Sequence, residues 1–205
     1  MRVLGIESSS LVASVALVTD DILTAEYTVD FKKTHSQTLL PMLDEIVKLL
    51  ELDMDTIDAI AVAGGPGSFT GLRIGAATAK GLGLALKKPL VHVPTVDAMA
   101  YNMWGAEGLI CPIMDAKRSQ VYTGLYHTGN GLEVVMEQQP MDMRELAGLL
   151  NKKGERVIFL GDGVPVYKDI IREMLTVPYA FAPAQMNRQR AASVAALGMN
   201  ALLDA

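Results

Sequence analysis

The stretch from Ala63 to Gly75 contains the residue types in this chain that are most suited to chemistry. It follows the apolar run 57–62, which is typical of a buried strand, and it leads into 70–86, which is predicted to be a helix. Free backbone N–H groups at the start of a helix bind anions. However, Leu72-Arg73 stands where a phosphate-binding loop has Lys-Ser/Thr, and Thr70 stands where a dinucleotide-binding loop has its third glycine. The loop therefore matches neither nucleotide-binding pattern.

Serines and histidines are the other candidates for chemistry. Ser8, Ser9 and Ser10 could hold a phosphate, but they serve equally well as turn residues. The three histidines, at positions 35, 92 and 127, include no two with the spacing of metal ligands. No Ser, His and Asp set has a spacing that indicates nucleophilic catalysis. His35, at the start of a predicted helix, is interpreted as a capping or interface residue.

The predicted helix 70–86 carries small residues at strict four-residue spacing. Gly71, Gly75, Ala79 and Gly83 share one face of it. Glycine inside a helix costs about 1 kcal/mol relative to alanine, so these glycines indicate a compensating close contact. That contact is either with this chain's own sheet or with a helix of another chain.

A second helix, predicted to end near Leu50, adds apolar surface. Besides a normal core face it carries Leu40 and Leu49, which widen the apolar face beyond what one sheet covers. Pro41 indicates either a helix start near Thr38 or a kink. We predict that the two helices form a four-helix interface with a partner or with a second copy. The predicted interface residues are His35, Leu39, Leu43, Ile46, Leu50, Phe69, Gly71, Leu72, Gly75, Ala79 and Gly83.

Composition limits the classes of function. Half of the residues are hydrophobic and the net charge is −5. A protein that binds nucleic acid alone usually presents a basic surface, and neither half of this chain is basic. The single cysteine, Cys111, and an N-terminus without a signal-peptide pattern favour a cytoplasmic location. The glycine-rich helix is too short to span a membrane, and Arg73 and Lys80 interrupt it.

The order of elements predicts an α/β fold that arose by duplication. Three strands, a helix and a strand are predicted first, and the same order recurs in the second half. Each copy opens with a strand that ends at an acidic residue, Glu7 or Asp115. The stretch Trp104-Gly105-Ala106 is the predicted junction, which gives one domain at 1–104 and a second at 105–205.

This duplicated unit resembles the actin, sugar-kinase and Hsp70 (ASKHA) superfamily, whose βββαβα domains are ribonuclease H-like, with mixed sheets flanked by helices. Within it, the stretches Gly65 to Gly75 and His35 to Pro41 are very similar to the bacterial TsaB (YeaZ) family, also described as glycoprotease-like or as peptidase M22 homologues. Asp115 to Arg118, Val121-Tyr122 and Gly161-Asp162-Gly163 also match that family. The likeness covers nearly the whole chain.

The resemblance implies a part in forming N6-threonylcarbamoyladenosine (t6A) at position 37 of ANN-decoding tRNAs. The chain would be a non-catalytic subunit that pairs with a TsaD-type catalytic paralogue, and a TsaE-type ATPase would join them. In isolation it would form a homodimer, and tRNA would bind only to the complex. No cofactor is expected for the chain alone, whereas ATP or ADP with Mg²⁺ is the candidate ligand at the complex interface. No metallopeptidase activity is expected, because Val96 follows His92 where the paralogue has its second metal-binding histidine.

The superfamily also implies a nucleotide site, in which Glu7 and Asp115 would stand around the phosphates and Mg²⁺. Many family members have aspartate where this chain has Glu7, so the site is expected to be degenerate. Two alternatives are that both acids only hold their turns, or that the chain is an ATP- and Mg²⁺-dependent phosphotransferase that uses them. Family members often continue with a Pro-x-Tyr-x-Arg tail, so the second domain is expected to be shortened at its C-terminus. The predicted nucleotide-site residues are Glu7, Ser8, Ser9, Ser10, Asp115, Gly161, Asp162 and Gly163.

Overall fold

The computed structural model describes residues 1–31 and 35–205 and contains two compact units. Unit 1 comprises Met1–Ala98 together with Gln189–Ala205, and unit 2 comprises Met99–Arg188. Each unit is built on one five-stranded mixed sheet flanked by helices, which confirms the predicted α/β class. No helix in the described ranges is long and apolar enough to cross a membrane.

The described residues form ten strands, six α-helices and one short 3₁₀ turn, joined by loops. The strands are β1 (Arg2–Glu7), β2 (Val12–Thr19), β3 (Ile22–Asp30), β4 (Ala59–Ala63), β5 (Leu90–Val93), β6 (Leu109–Asp115), β7 (Gln120–His127), β8 (Glu133–Asp142), β9 (Val157–Leu160) and β10 (Tyr179–Phe181). The helices are α1 (His35–Leu50), α2 (Phe69–Leu86), α3 (Thr95–Tyr101), α4 (Met143–Lys153), α5 (Gly163–Met174) and α6 (Ala191–Leu203).

The sheet of unit 1 has the strand order β3-β2-β1-β4-β5. The first three strands pair antiparallel, and β4 and β5 add in parallel. Successive residues of a strand point to opposite faces. Accordingly, Leu4 and Ile6 of β1 belong to the core under α1 and α2, whereas Val3 belongs to the core under α6. Helices therefore cover both faces of this sheet, which explains why β1 and β2 are apolar along most of their length.

Helix α6 accounts for the main difference from the predicted division into domains. The sequence predicts that 105–205 form one domain, whereas residues 189–205 belong to unit 1 and residues 99–104 to unit 2. Periodicity indicates that 190–203 is a helix, but it does not show which sheet that helix packs against. The glycine at position 5 decides this contact, because a Cβ there would lie 2.3 Å from the carbonyl oxygen of Ala191.

Unit 2 repeats the order of elements with the sheet β10-β9-β6-β7-β8. Strands β6, β7 and β8 pair antiparallel, and β9 and β10 add in parallel. Asp142 caps α4, since its carboxylate accepts from the N–H groups of Arg144 and Glu145, which confirms the predicted N-cap. The sequence did not indicate β10, a strand of three residues. Helix α1 contains Pro41 and extends over His35–Leu50, so of the two alternatives for Pro41 the start near Thr38 does not occur.

Candidate functional site

The turn that follows β1 packs against the first residues of α1 and α2. The Ser8 hydroxyl donates to the Gly71 carbonyl oxygen at 2.8 Å. His35 donates from Nε2 to the Ser10 carbonyl oxygen at 2.6 Å. The serine turn, the start of α1 and the start of α2 therefore form one continuous contact within unit 1.

The small residues of α2 make this contact possible. A Cβ on Gly71 would lie 2.1 Å from the Ser8 carbonyl oxygen, and one on Gly75 would lie 2.3 Å from the Ser8 hydroxyl. A Cβ on Gly83 would lie 2.8 Å from the side chain of Leu90. Contacts this short leave no room for a side chain, so the stripe serves close packing inside unit 1. This favours the first of the two alternatives for the glycine-rich helix.

The predicted interface residues divide into buried and exposed sets. Phe69 is 69% exposed and Leu50 is 38% exposed, and Leu72 is partly buried. The other eight predicted interface residues are covered by unit 1 itself, so a second chain could reach them only by displacing that cover. These eight are His35, Leu39, Leu43, Ile46, Gly71, Gly75, Ala79 and Gly83.

The outward surface of α2 presents Phe69, which the interface prediction includes, together with Arg73 and Leu84, which it leaves out. The Arg73 guanidinium lies 4.0 Å from the centroid of the Phe69 ring, and Leu84 is 84% exposed. On α1, Leu40 and Leu49 are also exposed. We call these five residues the outer helical surface. The signal was present in the sequence, because 69, 73 and 84 lie on the side of the helix opposite to the small residues.

Glu7 lies at the end of β1 and is fully buried, with 0% exposure. Its Oε1 accepts from the Ser9 N–H at 2.6 Å, and its Oε2 has no hydrogen-bond partner among the described residues. Burial raises the pKa of the Glu7 carboxyl to about 7, although hydrogen bonds from Ser9 act in the opposite direction. At neutral pH this carboxyl is therefore only partly ionised.

Asp115 lies at the equivalent position of unit 2 and has its oxygens occupied. Oδ1 accepts from the Lys117 N–H and from the Tyr167 hydroxyl, and Oδ2 accepts from Lys117 Nζ at 2.7 Å. Burial opposes ionisation, but these hydrogen bonds outweigh it and hold the pKa of Asp115 below its ordinary value. The Asp162 carboxylate accepts from the Asp115 N–H at 3.3 Å, and burial raises the pKa of Asp162. The structure thus brings together Asp115 and the turn Gly161-Asp162-Gly163.

These contacts test whether the two acids suit a Mg²⁺-bound nucleotide. The Mg²⁺ ion of a bound nucleotide needs a carboxylate oxygen that is accessible and does not already accept hydrogen bonds from the protein. The free oxygen of Glu7 is buried, and both oxygens of Asp115 accept hydrogen bonds from their own turn and from Tyr167. Neither side chain fits that ligand in this arrangement. Both instead hold a turn through a hydrogen bond to a backbone N–H two residues later, as the alternative interpretation expects.

Comparisons with known proteins found a family model and a curated relative that each match most of this chain. The model of the family described as TsaD, tRNA N6-adenosine threonylcarbamoyltransferase, matches residues 29–204. A Bacillus subtilis protein, tRNA threonylcarbamoyladenosine biosynthesis protein TsaB, is 35% identical over 199 residues, which cover 97% of this chain and 87% of the relative.

Solved structures give the same grouping. YeaZ from Pseudomonas aeruginosa superposes with a TM-score of 0.82 at 25% identity, covering 99% of this chain and 92% of that one. The ROK hexokinase of Thermus thermophilus superposes with a TM-score of 0.53 at 13% identity and covers the whole of both chains. The second likeness concerns the fold alone.

Proposed function

The chain belongs to the TsaB family of tRNA threonylcarbamoyladenosine biosynthesis proteins, and from this we propose that it is an accessory, non-catalytic subunit in the formation of t6A at position 37 of tRNA. The near full-length similarity to the Bacillus subtilis relative is the observation that carries the proposal.

Partner binding on α1 and α2 is the second part of the proposal. A TsaD-type paralogue docks on the outer helical surface, and a TsaE-type ATPase completes the complex that receives tRNA. The exposure of Phe69 and Leu84 supports this location, because apolar side chains that the fold leaves uncovered on adjacent helices mark interaction sites. In isolation a second copy of the chain occupies the same surface. ATP or ADP with Mg²⁺ belongs to the assembled complex rather than to Glu7 and Asp115.

A reconstituted reaction tests the function. The purified chain is expected to form no t6A from an activated threonylcarbamoyl donor, ATP and unmodified tRNA, and to restore t6A when the TsaD-type and TsaE-type subunits are added. Mass spectrometry of tRNA nucleosides measures the product. Turnover by the chain alone, or a complete reaction that proceeds equally well without it, would contradict the proposal.

The substitution Phe69→Glu tests the location of the docking surface. Phe69 is the first residue of α2, where a carboxylate suits the helix dipole, so the helix is expected to persist. Burial of a charge in an apolar contact should weaken binding to the TsaD-type subunit by about tenfold or more. Surface plasmon resonance measures the affinity, and far-UV circular dichroism verifies the fold.

A matched control for Phe69→Glu is Leu203→Glu. Leu203 is 67% exposed and belongs to α6, which covers the opposite face of the same sheet. The Leu203→Glu variant should bind the TsaD-type subunit as the unchanged protein does. Equal losses in the two variants would place the docking surface elsewhere.

A further inference from the structure

A histidine in unit 2 stands between two carboxylates, in an arrangement that the function above does not use. His127 Nε2 lies 2.9 Å from an oxygen of Glu155, and its Nδ1 lies 3.8 Å from an oxygen of Glu133. Glu155 lies in the connection between α4 and β9, whereas His127 and Glu133 belong to β7 and β8. The two carboxylates therefore approach the imidazole from different elements and at different ring atoms.

The contact with Glu155 fixes which ring nitrogen carries the proton. A separation of 2.9 Å is that of a hydrogen bond, in which Nε2–H donates to the carboxylate. In the neutral imidazole the lone pair is then on Nδ1. A metal-binding histidine usually donates from its other ring nitrogen to a group such as a carboxylate. The carboxylate orients the ring and makes the nitrogen that faces the metal a better ligand.

The contact with Glu133 has the spacing of two ligands to one ion. His127 and Glu133 are directly opposite in the β7–β8 ladder, so the register holds their side chains on one face. Their separation of 3.8 Å exceeds the length of a hydrogen bond. Bonds from Zn²⁺ to nitrogen and to oxygen are about 2.0–2.2 Å each, so an ion between the two atoms spans this gap.

A cavity of about 460 Å³ borders this gap and supplies the room for the remaining ligands. Its lining includes His127, Glu133 and Asn130 at the tip of the hairpin. The site has two protein ligands, and the cavity leaves room for water to complete the coordination of the ion. This agrees with the lack of a cluster of three His, Cys, Asp or Glu ligands among the described residues, because Glu155 faces the far side of the ring.

From this geometry we propose that His127 and Glu133 bind a divalent transition-metal ion such as Zn²⁺ at the β7–β8 hairpin, with Glu155 as a positioning residue for His127. One imidazole nitrogen with carboxylate oxygen suits Zn²⁺, Ni²⁺ or Cu²⁺ rather than Mg²⁺ or Ca²⁺. The ion joins the two strands at the turn end of their hairpin.

Calorimetric titration of the purified chain with Zn²⁺ tests the site. A dissociation constant in the micromolar range is expected for the unchanged protein, and His127→Ala should weaken it by about 100-fold or more. Glu155→Gln should weaken it by roughly tenfold, because the amide supports the ring less strongly than the carboxylate does. His92→Ala is the control, since His92 is an exposed histidine on a strand of unit 1, and this variant should bind Zn²⁺ as the unchanged protein does.

A second measurement keeps the proposal testable if a variant does not fold. Nitrogen-15 NMR of the unchanged protein should show that Zn²⁺ shifts Nδ1 of His127 while Nε2 stays protonated. Absence of micromolar binding, equal binding by His127→Ala, tighter binding by Glu155→Gln or an ion on Nε2 would each overturn it. These outcomes leave the proposed role in t6A formation untouched, because the docking surface lies in unit 1.

Discussion

The substitution Gly71→Ala is expected to destabilise unit 1 by about 1–3 kcal/mol or more, which is the usual range for a side chain forced into packed space. Its Cβ would lie 2.1 Å from the Ser8 carbonyl oxygen, and 3.2 Å from the His35 ring. A backbone oxygen cannot rotate away as a flexible side chain can. The turn after β1 must therefore move, and the Ser8 hydrogen bond to Gly71 is lost with it. Urea unfolding monitored by far-UV circular dichroism measures the loss.

Gly81→Ala on the same helix is the control. No atom lies within 4 Å of a Cβ placed there, so the substitution should stabilise the protein by up to about 1 kcal/mol through helix propensity alone. A loss of stability in Gly71→Ala and a gain in Gly81→Ala, on the same helix, would separate the effect of packing from that of helix propensity. If Gly71→Ala were as stable as the unchanged protein, the contact between the serine turn and α2 would be absent in solution.

The substitution Glu7→Gln is expected to alter how stability depends on pH. Glu7 has a pKa of about 7 in the folded protein against an ordinary value of 4.5, so the folded state holds its proton over a range where the unfolded state has released it. The stability of the unchanged protein relative to Glu7→Gln should therefore be highest below about pH 4.5, and should fall as pH rises towards 7. Above about pH 7 the difference in the free energy of unfolding between the two proteins should stay level, after a total change of about 3 kcal/mol.

Urea midpoints of both proteins, measured between pH 4.5 and pH 8, give this difference. Subtracting one curve from the other removes the contribution of all groups that titrate alike in the two proteins. Glu45→Gln, at an exposed position of α1, is the matched carboxyl-to-amide control and is measured in the same way. A flat difference curve for Glu7→Gln would mean that water reaches the Glu7 carboxyl in solution.

Much of the fold could be predicted from the sequence because its elements are signalled locally. The alternation of strands and helices, the cap at Asp142 and the glycine-rich start of α2 all depend on neighbouring residues. The sequence does not predict β10, because a strand of three residues is too short to show an alternation of apolar and polar side chains. The packing of α6 on β1 was also missed, since residues almost 190 positions apart decide it.

The candidate site was less predictable for the same reason. Glycine spacing indicated that α2 is approached closely, but only the structure identifies Ser8 as the residue that approaches it. An arginine at Gly75 or Ala79 would disrupt unit 1 itself, because both positions are buried. Substitutions on the outer helical surface, such as Phe69→Glu, separate partner binding from folding.

The return of the chain to unit 1 through α6 affects how the protein is made. Translation delivers β1 to β5 before unit 2, yet one face of their sheet, around Val3 and Ala61, is covered by residues of the segment 189–205 that follows unit 2. On the ribosome that face stays exposed while the whole of unit 2 is synthesised. Unit 2 is one uninterrupted segment and can fold cotranslationally, whereas unit 1 is completed only after residues 189–205 have been synthesised. The unit whose sheet is synthesised first is thus the later of the two to become complete.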